Sequence, residues 1–206
     1  MKAESKEFMT TEYDKISSAY FGLRDQVNEW FKAYLTLIGF PLTVLAAVLK
    51  IGEGNAATTL SSLPDFVSLL LIIVSSLGLF VTFSIISMRM EMILYARTIN
   101  CVRRFFAAED KGLVPFLVLP TTDAKPPFYE SWRAMFWQVL MIGFMDGIIM
   151  GGGIMSLFKN GILVGIITGI LFWFCHWFVY WLMSLKRENE WKNSIHFPED
   201  INVSNI

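Results

Sequence analysis

The chain has 206 residues, of which 54% are hydrophobic and only 17% are charged, and its formal net charge is -1. This composition is too apolar for a soluble domain of the same length and indicates an integral membrane protein. The nearly balanced charge gives no reason to expect nucleic acid as a direct partner.

Four apolar runs are long enough to cross a bilayer, which requires about 20 residues. They predict transmembrane helices at residues 31–51, 65–87, 134–158 and 161–184. The polar remainder consists of an N-terminal amphipathic helix (1–30), a central helix and loop (88–133) and a C-terminal tail (185–206). We therefore predict an all-α integral membrane protein with four transmembrane helices.

Basic residues predict the orientation of these spans. Except for Lys50 and Lys159, every Lys and Arg lies in or beside the N-terminal segment, the central segment or the tail. Because positively charged segments remain on the cytoplasmic side, the pattern places both termini and the central segment in the cytoplasm.

The N-terminal segment carries a heptad pattern that continues into the first span. Its members are Met9, Tyr13, Ile16, Tyr20, Leu23, Val27, Trp30 and Tyr34. Thr11 and Asp14 have the spacing of a capping box and predict a helix that starts there. The seam can pack inside one chain or between subunits, and its spacing is compatible with both arrangements.

The second span has a similar extension beyond the membrane. Its apolar seam consists of Ile85, Met88, Met92, Tyr95, Ile99, Val102 and Phe106. About twenty helical residues outside the bilayer reach about 30 Å. Packing this extension against the N-terminal helix predicts that helices 1 and 2 form a cytoplasmic stalk.

Basic side chains lie on the side of this second extension opposite its apolar seam. They are Arg89, Arg97, Arg103 and Arg104, with Asn100 among them. Contact with anionic lipid headgroups is one interpretation. Docking of an acidic partner or of a phosphate group is the other.

Asp146 lies in the middle of the third span, and the fourth span contains His176. A carboxylate at that depth costs about 3 kcal/mol on insertion scales, so it faces protein or water and is a functional candidate. Asp146 either lines a lumen or locks the helices together. His176 either interacts with Asp146, directly or through water, or bonds to a backbone carbonyl.

Glycines repeat every fourth residue in the last two spans, at Gly143, Gly147, Gly151, Gly161, Gly165 and Gly169. Such repeats let helices approach closely, within one chain or between subunits. A symmetric hairpin about residues 159 and 160 places Gly151 opposite Thr168, Gly147 opposite Phe172 and Asp146 opposite Trp173. It places His176 opposite Gly143, about one turn from Asp146.

Catalytic chemistry is not indicated. The two histidines, His176 and His196, lie on either side of a membrane boundary, so they do not suggest a metal site. No phosphate-binding glycine pattern follows a strand. We therefore expect no enzyme activity, no metal and no cofactor.

Three functions from different classes remain. The first is an oligomeric membrane sensor or scaffold whose cytoplasmic stalk recruits a soluble effector. The second is a pore or channel in which Asp146 lines the lumen. The third, a proton-coupled transporter subunit that uses Asp146 and His176, lacks the broken-helix repeats of such proteins.

The layout resembles that of small four-span inner-membrane proteins of bacterial antiphage defence systems, such as the membrane subunit of Kiwa. The resemblance rests on the cytoplasmic termini, the two extended helices and the arginine-bearing segment from Tyr95 to Phe106. It implies a homo-oligomer, a tetramer, in a bacterial inner membrane that recruits a cytoplasmic effector protein in antiviral defence.

Overall fold

The computed structural model describes residues 3–51, 63–110, 112, 122, 124–158 and 161–194. Within these ranges the chain forms helices α1 (Ala3–Ile51), α2 (Asp65–Glu109), α3 (Ala134–Leu157) and α4 (Ile162–Ser194), and no strand. The predicted all-α class is confirmed. Lys159 and the last part of the predicted tail, with His196, lie outside the described residues.

All 4 helices are long and apolar enough to cross a membrane. Large apolar side chains point outward from them, and Phe40, Phe66, Phe80, Leu163 and Leu171 are 64–72% exposed. A surface with so many exposed large apolar side chains is unfavourable in water but suits the hydrocarbon of a bilayer. These features support a membrane location.

The third helix, α3, is the most buried of these spans. Of its apolar stretch 56% is buried, against 17–33% for the stretches in α1, α2 and α4. Small residues make this burial possible because Gly143, Gly147, Gly152 and Gly153 present backbone to neighbouring helices. Side chains on α3 therefore meet residues from every other span.

The chain divides into two compact units. The apolar unit comprises Asn28–Ile86 and Glu130–Met183, and the polar unit comprises Met1–Val27, Ser87–Tyr129 and Ser184–Ile206. Helices α1, α2 and α4 each contribute residues to both units, whereas α3 lies in the apolar unit. That the extensions of α1 and α2 form a cytoplasmic stalk stays a prediction.

The N-terminal helix begins earlier than the capping pattern indicated. Thr11 lies inside α1, where its Oγ1 donates to the carbonyl of Glu7 at 3.0 Å. The prediction that Thr11 and Asp14 cap the helix is therefore wrong. Apolar seam residues between Met9 and Leu23 are half-buried in a single chain, so both packing arrangements of the seam remain open.

Farther along α1 the buried face departs from a strict heptad. Val27 and Tyr34 are buried, but Trp30 is 46% exposed and does not belong to the buried face. Ile38 and Leu45 continue the buried face. A straight helix has 3.6 residues per turn, so a seam that repeats every 3.5 residues drifts off its partner.

Candidate functional site

Asp146 is the centre of a buried polar cluster in the apolar unit. Its side chain is 0% exposed, and each of the other helices supplies a neighbour. Tyr34 comes from α1, Ser75 and Gly78 come from α2, and His176 comes from α4. We call these five residues the Asp146 cluster.

Hydrogen bonds satisfy both carboxylate oxygens of Asp146. Oδ2 lies 3.0 Å from His176 Nε2, and Oδ1 accepts from the Tyr34 hydroxyl at 3.1 Å. Tyr34 also lies 3.0 Å from the carbonyl of Ile142, and Ser75 donates to the backbone carbonyl of Asp146 at 2.7 Å. A buried carboxylate needs such partners, because an unpaired one costs several kcal/mol.

Glycine at position 78 makes room for the carboxylate. A Cβ built on Gly78 would overlap Oδ1, Oδ2 and Cγ of Asp146. The carboxylate therefore lies directly against the backbone of α2. Any larger residue at this position would push the Asp146 side chain away from Tyr34 and His176.

The hydrogen bonds also show how many protons the Asp146–His176 pair holds. The carbonyl of Phe172 can only accept, so Nδ1 of His176, 2.9 Å away, carries a hydrogen. The 3.0 Å bond between Nε2 and Asp146 Oδ2 needs one further proton between the two atoms. Wherever that proton resides, the pair is neutral overall, which a low-dielectric interior tolerates better than a lone charge.

The structure places the predicted intramembrane residues Asp146 and His176 in direct contact, with His176 Nε2 3.0 Å from Asp146 Oδ2. It also shows the alternative prediction for His176, since Nδ1 bonds to the backbone carbonyl of Phe172. The two interpretations are compatible because the imidazole has a nitrogen for each. Within a single chain, Asp146 faces protein and not a lumen.

The predicted register of the hairpin is confirmed at Gly143, which lies against His176, but the predicted partners of Gly147 and Gly151 are wrong by three residues. Gly147 faces Gly169, and Gly151 faces Gly165: a Cβ on either α3 glycine would lie 2.6–2.7 Å from the carbonyl oxygen of its partner. Contacts between glycines bring the two backbones closest together, so they determine the register in place of the symmetric pairing with Thr168.

The remaining predicted glycines also pack within one chain. A Cβ on Gly143 would lie 2.9 Å from His176 Cβ, and one on Gly161 would lie 2.8 Å from the carbonyl oxygen of Phe158. Gly143 therefore leaves room for the His176 side chain, whose imidazole bonds to Asp146. The structure shows packing of the glycine repeats inside one chain, and additional packing between subunits stays a prediction.

Tyr34, Ser75 and Gly78 belong to this site, although no sequence prediction assigned them to it. A signal was present in α2, where Ser68, Ser75 and Thr82 recur every seven residues and are all buried. Ser68 donates to Ser156 of α3 at 2.7 Å, as Ser75 does to Asp146. A stripe of small polar residues in a span indicates the face that packs on another helix.

Arg97 is the centre of a second cluster, which lies in the polar unit. Its side chain is 1% exposed, and Nη2 pairs with Glu188 Oε2 at 2.7 Å. Nε donates to the carbonyl of Pro126 at 2.9 Å. The guanidinium carbon lies 4.3 Å from the ring centroid of Phe128 and 5.4 Å from that of Trp191. The expectation that Arg97 contacts headgroups or a partner is therefore wrong.

Asn100 points to the same side as Arg97 and is also buried. Its Nδ2 donates to the carbonyl of Lys125 at 2.8 Å, so α2 holds the segment around residues 124–128 at two positions. Arg103 is half-buried and donates to the Tyr13 hydroxyl at 3.3 Å. Arg89 and Arg104 are half-buried, and their predicted contact with headgroups or a partner stays a prediction.

Replacing Arg97 should loosen this part of the polar unit. We expect Arg97→Ala to lower the free energy of unfolding by about 2 kcal/mol, since it removes charge-assisted bonds while the partly exposed Glu188 keeps access to water. Phe128 would become accessible, so chymotrypsin should cleave after it faster than in wild type. Arg24→Ala, an exposed control, should change neither quantity, and equal effects of both variants would contradict the burial of Arg97.

Within the described part of the chain, no group of three or more His, Cys, Asp or Glu side chains is placed to hold a metal ion. No protein-family model, no curated protein and no solved structure matches the chain.

Proposed function

We propose that this protein is a non-enzymatic membrane sensor or scaffold that works as a homo-oligomer and recruits a soluble effector protein through its polar unit. Its location would be a bacterial inner membrane, with both termini and the polar unit in the cytoplasm, as the distribution of basic residues predicts. A role in antiphage defence rests on the layout resemblance alone.

One observation carries this proposal: α1, α2 and α4 each continue from the apolar unit into the polar unit without a break. A simple anchor needs only spans of about 20 residues. Here the helices are 49, 45 and 33 residues long. A helix that continues from a span into a polar unit can carry a shift in the membrane to a docking surface, which a flexible linker cannot do.

The internal organisation of the polar unit gives further support. Arg97 and Asn100 hold the carbonyls of residues 124–126, and Ser184 of α4 donates to the carbonyl of Phe128 at 3.3 Å. Membrane anchoring does not require a buried ion pair or these bonds. An ordered unit of this kind suits a surface that recognises another protein.

The Asp146 cluster weighs against the runner-up, a pore with Asp146 in its lumen. The carboxylate already has its hydrogen-bond partners inside one chain and is fully buried there. Lining a lumen would require the chain to give up these bonds. A cluster that joins all four spans suits a sensor body better, because it makes the spans respond together.

Site-specific photo-crosslinking in intact bacterial cells tests effector recruitment. A photoreactive phenylalanine would replace Phe21 or Phe105, which are exposed side chains of the polar unit, or Phe80, an exposed control in the apolar unit. We expect one discrete soluble protein to be captured at Phe21 or Phe105 and not at Phe80. Adducts with lipid or with the chain itself at all three positions would overturn effector recruitment.

The native mass of the purified protein in mild detergent tests the oligomer. Several copies per particle, with a tetramer as the expected number, would support the proposal. A particle that holds a single chain over the whole concentration range would contradict it.

A further inference from the structure

A groove with a volume of about 370 Å³ opens on the surface of the apolar unit where α3 and α4 pack together. Cavities of about 300–1,000 Å³ are typical of sites for small ligands. Glycines form its floor, namely Gly147, Gly151, Gly152, Gly165 and Gly169. The groove is therefore a product of the same glycine repeats that bring the two helices together.

The chain cannot fill this groove with side chains on its floor. A Cβ on Gly151 would lie 2.7 Å from the carbonyl oxygen of Gly165, and one on Gly147 would lie 2.6 Å from that of Gly169. Larger side chains form the walls. Phe144 and Trp173 pack edge to face, with ring centroids 6.1 Å apart, and Leu45 of α1 lies over Gly152.

The lining offers no side-chain hydrogen bond to an occupant. Every lining side chain is apolar or aromatic, and the indole nitrogen of Trp173 already donates to the carbonyl of Leu140 at 3.0 Å. Carbonyl oxygens at the floor belong to helices, where backbone groups are bonded. A polar ligand would lose its hydration here without compensation, so the occupant must be apolar.

We propose that this groove binds one acyl chain of a membrane lipid. The rims of the groove are formed by Ile148, Ile166 and Ile170, which are 43–52% exposed and lie in segments apolar enough to span the membrane. Lipid tails are the solvent around such a surface. A second protein chain would have to displace these tails before it could enter, whereas a tail needs no displacement.

Such an acyl chain would touch the turns that carry the Asp146 cluster. Gly147, on the floor, directly follows Asp146 in sequence. Trp173, in the wall, lies near Gly143, and so does His176. The groove therefore gives the bilayer a point of contact with the helix turns that hold the Asp146–His176 pair. This lipid site does not depend on the recruitment of an effector, so the two proposals can fail separately.

The test uses the full-length protein in vesicles of phosphatidylethanolamine and phosphatidylglycerol that contain a phospholipid with a diazirine midway along one acyl chain. After irradiation, mass spectrometry of peptides locates the labelled residues. We expect labelling of groove residues such as Phe144 and Met155 to exceed labelling of Phe80, which is more exposed than either, by about fivefold or more, a ratio equivalent to about 1 kcal/mol.

Two neighbouring residues of α4 provide a matched pair of variants. Ile166 lines the groove and is 52% exposed, whereas Ile167 does not line it and is 48% exposed. Ile166→Trp should fill the groove and abolish the preferential labelling, while Ile167→Trp should leave it unchanged. Ile148→Trp, from the opposite rim, should reproduce the loss, and thermal unfolding of each variant checks that it is folded.

Labelling of wild type that is uniform over all exposed apolar residues would overturn the proposal, because it would mean that lipid only surrounds the protein. Equal labelling of Ile166→Trp and wild type would overturn it too. If groove residues take up no lipid label while Phe80 is labelled, the groove is closed to acyl chains, as it would be under a second copy of the chain, and the lipid proposal is wrong.

Discussion

Asp146→Ala is expected to lower the free energy of unfolding by about 2 kcal/mol. Removing one partner of a buried pair costs about 3–5 kcal/mol in water-soluble proteins, but hydrogen bonds between membrane helices average about 0.6 kcal/mol and reach about 1.7. In this protein His176 Nε2 would lose its partner, whereas Tyr34 would keep the carbonyl of Ile142. The expected loss therefore lies between the cost in water-soluble proteins and the value of a single hydrogen bond between membrane helices.

Asp146→Asn provides the matched control for this prediction. The amide can donate to Nε2 of a neutral His176 and accept from Tyr34, so both bonds of the carboxylate have a replacement. We expect the asparagine variant to lose less than half of what the alanine variant loses. Unfolding with SDS in mixed micelles, followed by tryptophan fluorescence, measures both changes. Equal losses for Ala and Asn would contradict a role for these hydrogen bonds.

Gly78→Ala is expected to destabilise the protein by about 2 kcal/mol, within the range of about 1–3 kcal/mol that overpacking costs. The added methyl group would occupy the position of the Asp146 carboxylate, which is held by Tyr34 and His176 and cannot move without losing these bonds. This effect opposes the higher helix propensity of alanine, which favours the substitution by up to about 1 kcal/mol.

Two comparisons isolate the cause of that destabilisation. Gly39→Ala, also in the apolar unit, meets nothing within 4 Å and should be neutral or slightly stabilising. In an Asp146→Ala background the carboxylate is absent, so Gly78→Ala should cost little. A cost of Gly78→Ala that is the same in both backgrounds, measured by the same SDS titration, would contradict direct contact between Gly78 and Asp146.

The spans could be predicted from sequence because one property, a long apolar run, determines them. The four helices long enough to cross a membrane include the predicted spans at 31–51 and 65–87, and those at 134–158 and 161–184 except for the residues 158 and 161. The partners of each span could not be predicted in the same way. In hydrocarbon all apolar faces are similar, so the packing depends on a few small and polar residues.

Tyr34 shows the difficulty. Its heptad spacing predicted a seam residue, and that spacing describes one helix alone. The hydroxyl bonds to Asp146, 112 residues later in the chain, and periodicity within α1 contains no information about that partner.

Arg97 shows a similar limit for charge. The positive-inside rule counts basic residues in a segment and ignores the direction of each side chain. Arg97 lies on the same helix as Arg103 and Arg104, yet it turns inward because Glu188, 91 residues away, and the face of Phe128 are placed to receive it. An Arg without a partner would not be buried there. The prediction of contact with headgroups or another protein therefore failed at Arg97, because this residue has its partners inside the chain.

A double-mutant cycle between Asp146 and His176 tests most directly whether this buried pair joins the helices of the apolar unit. The free energies of unfolding of wild type, Asp146→Ala, His176→Ala and the double variant would be measured in the same mixed micelles. The 3.0 Å contact predicts a coupling energy of about 1–2 kcal/mol. Additive effects, within about 0.3–0.5 kcal/mol, would contradict the pairing and with it the place of Asp146 at the centre of the fold.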